Sequence, residues 1–200
     1  MLEGVSELSV KPCLGALYEG MQVIGGGGRS KIECLQLASV LANRAPRTTG
    51  PCLPGCIPLV MECINGSNAK VQGAAEVALP ELIKCVNNAE VARTLKEVLM
   101  LALKVPDTTL ACIDEVLLTT FCNPMDGTSL AFMMPILLRG IRAAHYSLAK
   151  QATVCTSNLS PLVQEASDLP PSVPLLPPLL DQTPRPSSPA LPAATPLATA

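Results

Sequence analysis

The sequence predicts an all-α fold, and three observations support this prediction. The chain of 200 residues is 48% hydrophobic but only 2% aromatic, so its core must be built from aliphatic, alanine, cysteine and methionine side chains. Such side chains suit close contact between helices better than a sheet, which favours aromatic and β-branched residues. Apolar residues also recur at the spacing of one helix face, as in Val71, Ala75, Ala78 and Leu82. The third observation is an internal repeat.

The repeat has a period of about 39 residues. Equivalent apolar positions are spaced by 38 or 39 residues in two series: Leu14, Leu53, Val91 and Leu130, and Ile32, Val71 and Leu110. Each series predicts one amphipathic helix in every unit, so every unit is predicted to contain a pair of helices. Because a helix–turn–helix period near 40 residues is typical of HEAT and armadillo arrays, the sequence predicts an α-solenoid.

The predicted helices fall into four units. Their first helices lie near 11–24, 51–64, 89–103 and 127–141, and their second helices lie near 30–44, 69–86, 107–122 and 143–160. The units therefore span 11–44, 51–86, 89–122 and 127–160, within an array of residues 11–165 that follows a lead-in of residues 1–10.

Turn-forming residues mark the boundaries of these units. Segments 45–51, 87–88 and 123–127 are rich in Pro, Gly and Asn and are predicted to break the helices. Inside the second unit, Pro80 is expected to bend the helix or to end its first segment, because proline has no backbone N–H.

The composition changes at about Ala166. Residues 166–200 consist mainly of Pro, Leu, Ser, Ala and Thr and carry almost no charge. Repeated prolines prevent regular helix, so this segment is predicted to be a disordered, locally polyproline-like tail. A degenerate further helix within 169–180 is the alternative.

The cysteines are predicted to be reduced core residues of a cytoplasmic protein. Their number, nine, is odd, and the N-terminus lacks the basic start and long apolar run of a secretory signal. His145 is the only histidine and no CxxC pair occurs, so no metal site is predicted. No apolar run reaches the roughly 18 residues that would span a membrane.

Neither catalytic residues nor a cofactor site is predicted. Gly25 to Gly28 precede Arg29, Ser30 and Lys31, but this order lacks the Gly-Lys-Ser/Thr arrangement of a phosphate-binding loop. His145 has no acid or nucleophile in register with it, so a general base is not expected. We therefore predict that the chain is not an enzyme and takes no small-molecule substrate.

Basic residues at helix positions provide the candidate sites for a partner. They are Lys31, Lys70, Arg93, Lys96, Arg139 and Arg142. Lys31 and Lys70 occupy equivalent repeat positions, so stacking would place them in a column. Ordinary solvated helix faces explain all six residues adequately, and a strip that binds phosphate or acidic groups is the sharper hypothesis. The net charge of −2 argues against strong binding to DNA.

The segment from about residue 29 to 141 resembles a known family. It is similar to the central HEAT region of the translational activator of the kinase that phosphorylates initiation factor 2 alpha, a stalled-ribosome sensor, and to the related region of elongation factor 3. The residues that carry this resemblance are Lys70-Val71-Gln72, Ala74-Ala75, Ala78-Leu79, the run of residues 117–121, Ser129-Leu130-Ala131, Met134-Pro135-Ile136 and Arg139.

The chain also departs from this family pattern. Its first unit is atypical, its Pro-rich segment stands where further repeats would continue, and no ATP-binding cassette follows. It therefore looks like a fragment or a truncated relative.

The resemblance implies a non-catalytic scaffold in translation regulation. Its expected partners are the ribosome or a translation-regulatory protein, such as a kinase or an ATP-binding-cassette cofactor protein, with a possible rRNA contact. The expected setting is the response to amino-acid starvation in the cytoplasm. A HEAT-repeat adaptor between proteins unrelated to translation, and a non-functional fragment, are the alternatives.

Overall fold

A computed structural model describes residues 7–22 and 28–163, in which every regular element is helical apart from one isolated bridge between Met125 and Val163. The described α-helices are α1 (Glu7–Gln22), α2 (Gly28–Arg44), α3 (Pro46–Thr49), α4 (Leu53–Asn65), α5 (Ala69–Leu82), α6 (Lys96–Lys104), α7 (Thr109–Leu118), α8 (Gly127–Ile141) and α9 (Tyr146–Leu159). The prediction of an all-α fold is confirmed.

Short 3-10 and π-helical segments connect these elements. The 3-10 turns are Gly50–Cys52, Ile83–Cys85, Pro106–Thr108 and Ser160–Leu162, and a π-helical segment, Val91–Leu95, runs directly into α6. None of the described helices is both long and apolar enough to cross a membrane.

Consecutive helices pack as pairs, and α8 lies at the centre of the described structure. The pairs are α1 with α2, α4 with α5, α6 with α7 and α8 with α9. Helices α2 and α5 also pack along each other, and α8 contacts α4 and α6 in addition to its partner. Eleven of the 15 residues of α8 are buried, and Phe132 has the largest of the fully buried side chains.

Polar residues between the helices satisfy the free amides at the helix starts. Asn68 accepts hydrogen bonds from the backbone N–H of Lys70 at 3.1 Å, and Asp126 accepts from that of Ser129 at 3.3 Å. Asn88 serves two segments, because Oδ1 accepts from Val91 N at 3.0 Å while Nδ2 donates to the carbonyl oxygen of Pro124 at 3.2 Å. The boundaries between helices are therefore fixed by specific side chains.

Two local expectations hold in part. Segment 45–51 separates α2, which ends at Arg44, from α4, as predicted, but it also contains α3, which begins at Pro46, a residue preorganised for the first helical position. Pro80 does not end α5, which continues to Leu82 before the 3-10 turn, and a bend at Pro80 stays a prediction. The helix continues without the hydrogen bond that an N–H at residue 80 would donate to the residue four positions earlier.

One local expectation is wrong, and it concerns the end of the helix predicted near 107–122. Helix α7 ends at Leu118, and the chain beyond it is held in a loop by Glu90. The Glu90 carboxylate accepts from Cys122 N at 3.3 Å and from Asn123 Nδ2 at 2.8 Å.

The cysteines behave as small core residues. No disulfide joins them within the described ranges, and Cys56, Cys63, Cys85, Cys112 and Cys155 are buried. Burial raises the pKa of Cys56 and of Cys155 to about 12, with the neighbouring thiols Cys52 and Cys112 adding to the respective shifts. These thiols are therefore neutral and fill space between helices.

Several predictions concern residues outside the described ranges. They concern the first part of the lead-in (residues 1–6), the Gly-rich turn before α2, and the Pro-rich segment 166–200. Each of these stays a prediction.

Candidate partner-binding surface and groove

The six candidate basic residues are spread over the described helices, and two of them lie at adjoining helix starts. Gly28, which opens α2, stands so close to the start of α5 that a Cβ at this position would lie 2.6 Å from Nδ2 of Asn68 and 3.3 Å from Cγ2 of Val71. Lys31 and Lys70 follow these starts within one turn. Lys70 is exposed and Lys31 is half-buried. The column of charge stays a prediction.

Arg93 and Lys96 lie where the π-helical segment joins α6, near a small polar network. Its centre is Glu81, which accepts hydrogen bonds from Lys84 Nζ at 2.6 Å and from Asn43 Nδ2 at 2.5 Å. These two bonds hold the pKa of Glu81 below its usual value, and the charges of Lys84 and Lys96 contribute further. Lys96 is thus partly engaged with the protein, whereas Arg93 is exposed.

Arg139 is half-buried and links α8 to two other elements. Its Nη1 donates to the carbonyl oxygen of Ala102 at 2.7 Å and to Oγ1 of Thr109 at 3.3 Å. The Ala102 carbonyl needs an outside donor, because the residue four positions later is Pro106, which has no N–H. Burial lowers the pKa of Arg139, and no carboxylate among the described residues forms an ion pair with it.

A groove that the sequence did not predict runs between α4 and α8. It has a volume of about 660 Å³. Its walls are mostly apolar and include Pro54, Pro58 and Met61 from α4, and Met134, Pro135 and Leu138 from α8. Arg139 and Arg142 provide positive charge in its lining, which contains no acidic residue.

This arrangement is suited to binding and offers no evident chemistry. A cleft of this size lies within the range of about 300–1,000 Å³ that is usual for ligand sites. No three His, Cys, Asp or Glu side chains among the described residues are grouped so as to hold a metal ion. The sequence signal that could have revealed the groove is the pair Pro54 and Pro58, which share one helix face with Met61. Its second wall comes from α8, two units further along the chain.

Paired helices that repeat along the chain and pack on shared neighbours define a helical-repeat protein. The model of the family described as elongation factor 3/GNC1 HEAT repeat matches residues 107–196. The match begins in the second helix of the predicted third unit and includes most of the Pro-rich segment. The predicted resemblance to this elongation factor 3/GNC1 HEAT-repeat family is confirmed.

Curated relatives extend the similarity over most of the chain. Protein ILITYHIA of Arabidopsis thaliana is 32% identical over 183 residues, which are 88% of this chain and 7% of that protein. Stalled ribosome sensor GCN1 of Homo sapiens is 32% identical over 162 residues, 78% of this chain and 6% of that protein. Elongation factor 3 of Gonapodya prolifera is 26% identical over 157 residues, 77% of this chain and 14% of that protein. The chain thus spans a small part of the length of each relative.

Proposed function

We propose that this chain is a non-catalytic HEAT-repeat scaffold that works in translation in the cytoplasm. Its partners under this proposal are the ribosome, a translation-regulatory protein, or both. The regulatory protein is a kinase or an ATP-binding-cassette cofactor protein of the response to amino-acid starvation. The observation that carries the proposal is the family match, together with relatives whose names are stalled ribosome sensor GCN1 and elongation factor 3.

The distribution of charge supports a moderate, salt-dependent attachment. Lys70, Arg93 and Arg142 are exposed on different helices, and no carboxylate among the described residues pairs with them. Such separated cations can meet rRNA phosphates or an acidic protein surface, and the affinity then falls as salt rises. Because the net charge is −2, protein contacts are expected to share the binding with any contact to RNA.

Sedimentation with purified ribosomes at low and moderate salt tests this proposal. The test variant changes Lys31, Lys70, Arg93, Lys96 and Arg142 to Gln and keeps Arg139, which supports the fold. The matched control changes five other exposed basic residues to Gln: Arg29, Arg44, Arg47, Lys104 and Lys150. Both variants lose the same charge, so only the position of the charge differs.

We expect the unaltered chain and the control to pellet with ribosomes, and the test variant to remain largely in the supernatant. Equal pelleting of the two variants would refute the assignment of these basic residues. If the unaltered chain does not pellet at low salt, ribosome binding is refuted, and an adaptor between other proteins becomes the better interpretation.

A further inference from the structure

The groove between α4 and α8 carries a main-chain acceptor that helix α4 leaves open. In a helix the carbonyl oxygen of residue i accepts from the N–H of residue i+4. Pro58 stands four residues after Pro54, and Pro135 stands four residues after Ala131, so the carbonyls of Pro54 and Ala131 lack this donor. All four residues line the groove, but Ala131 is 2% exposed and its carbonyl is not accessible to a partner, whereas Pro54 is half-buried.

The carbonyl of Ala102, elsewhere in the fold, also lacks its helical donor. The proline that follows it at i+4 also removes its donor, and there the guanidinium of Arg139 supplies the hydrogen bond at 2.7 Å. Because a carbonyl without a donor costs free energy where water is excluded, an external donor at the Pro54 carbonyl would be favourable.

Two cations stand at one end of the same groove. Within the described chain, Arg139 forms hydrogen bonds through Nη1 alone, so Nε and Nη2 remain available. Arg142 follows three residues later, is exposed, and also lines the groove. With no acidic residue in the lining, the two guanidiniums are complementary to a carboxylate, whose geometry matches their paired N–H groups.

We propose that this groove binds a short extended peptide of a partner protein, with apolar side chains next to one or two carboxylates. A backbone N–H group of the peptide donates to the carbonyl of Pro54. Its apolar side chains pack on Met61, Met134 and Leu138, and its carboxylate binds Arg139 and Arg142. This inference deepens the proposed scaffold function. It rests on that proposal because it treats the groove as a surface that binds a partner.

The lining favours a peptide over nucleic acid. Single-stranded RNA and DNA are usually held by bases stacked on aromatic side chains, and none of the described residues that line this groove is aromatic. A polypeptide offers an N–H group at nearly every residue, so one of them can reach the open carbonyl of Pro54. The methionines on both walls are flexible enough to accept different apolar side chains.

Fluorescence anisotropy with defined peptide pools tests the proposal on the full chain. Each capped, labelled pool has four variable positions drawn from Leu, Met, Val and Ser, followed by Asp-Asp, Asn-Asn or Lys-Lys. We expect the Asp-Asp pool to bind about tenfold or more tightly than the other two, since a hydrogen bond to a charged group contributes roughly 1.5–3 kcal/mol. Equal binding of the three pools, or none, would overturn the proposal.

Two further comparisons separate the contacts. Arg142→Gln should weaken binding of the Asp-Asp pool about tenfold, whereas Arg47→Gln, an exposed position outside the groove, should leave it unchanged. A pool with N-methylated backbone amides should bind several-fold more weakly to the unaltered chain, because methylation removes the peptide donors. No effect of N-methylation would refute the role of the Pro54 carbonyl.

Competition decides between peptide and nucleic acid. An oligo(U) strand should not displace the Asp-Asp pool at moderate salt, and complete displacement at equal concentration would assign the groove to RNA instead. These measurements contain no ribosomes. A chain that binds the peptides but does not pellet with ribosomes therefore refutes ribosome binding alone, and the reverse result refutes the groove proposal alone.

Discussion

The hydroxyl group of Thr128 donates a hydrogen bond of 3.1 Å to the carbonyl oxygen of Gly50, although 78 residues separate the two in sequence. Thr128 lies in the first turn of α8 and is 5% exposed, and Gly50, which is buried, opens the 3-10 turn before α4. The same carbonyl also accepts from the backbone N–H of Leu53. The bond therefore fixes the start of α8 against the start of α4, where the two helices pack.

Replacing Thr128 by Val should destabilise the fold. The side chain keeps its shape but loses the donor, and because Gly50 retains its second bond the expected loss in free energy of unfolding is about 1 kcal/mol. Urea denaturation followed by circular dichroism measures this loss. Thr128→Ser, which keeps the hydroxyl group, should be less destabilising, and a serine variant as unstable as the valine variant would contradict this role of the hydrogen bond.

Replacing Arg139 by Gln should destabilise the fold by roughly 1–3 kcal/mol, because the Ala102 carbonyl loses the charged donor that stands in for the missing N–H of Pro106. Arg142→Gln is the matched control: its side chain is exposed, so we expect a change within about 0.5 kcal/mol. Equal unfolding midpoints for the two variants would show that the bond between Arg139 and Ala102 contributes nothing measurable.

The sequence predicted the helices well because their signals are local. The spacing of Val71, Ala75, Ala78 and Leu82 on one face indicated α5, and all four are buried. The asparagine pair near the start of the third unit indicated a boundary, and Asn88 indeed binds the N–H of Val91. Such features depend on residues a few positions apart, which a sequence displays directly.

The groove and the role of Arg139 could not be predicted in this way. Both depend on α8 packing against α4 and α6, which lie one or two units earlier in the chain. From sequence, Arg139 and Arg142 looked alike, three residues apart on one helix. Only the tertiary contact with Ala102 makes the first partly structural and leaves the second exposed.

Replacing Glu81 by Gln should change the pH dependence of stability. Hydrogen bonds from Lys84 and Asn43 lower the pKa of Glu81 from its usual 4.5, so folding favours the ionised form. Its contribution is fully present above pH 4.5 and is lost as the pH falls through the lower pKa of the folded state.

Urea denaturation at several pH values between 7 and 3 checks this prediction. The unaltered chain should be more stable than Glu81→Gln near pH 7, and the difference should shrink below pH 4.5. Glu97→Gln serves as the control, because Glu97 is exposed and no hydrogen bond or ion pair holds it within the described structure. A difference between the chain and Glu81→Gln that stays constant down to pH 3 would contradict the assignment.

The cysteines should differ widely in their reaction with iodoacetamide at pH 8. Cys122 is exposed in the loop after α7, whereas Cys56 and Cys155 are buried and burial raises the pKa of each to about 12. Only about one in ten thousand of these two thiols is ionised at that pH, and the thiolate is the reactive form. Mass spectrometry of proteolytic peptides should therefore find Cys122 alkylated first, and Cys56 and Cys155 alkylated only when urea unfolds the chain. In Cys122→Ser the fastest phase should disappear. If Cys155 reacts as fast as Cys122 in the native protein, α9 does not pack on α7 and α8 as the structure shows.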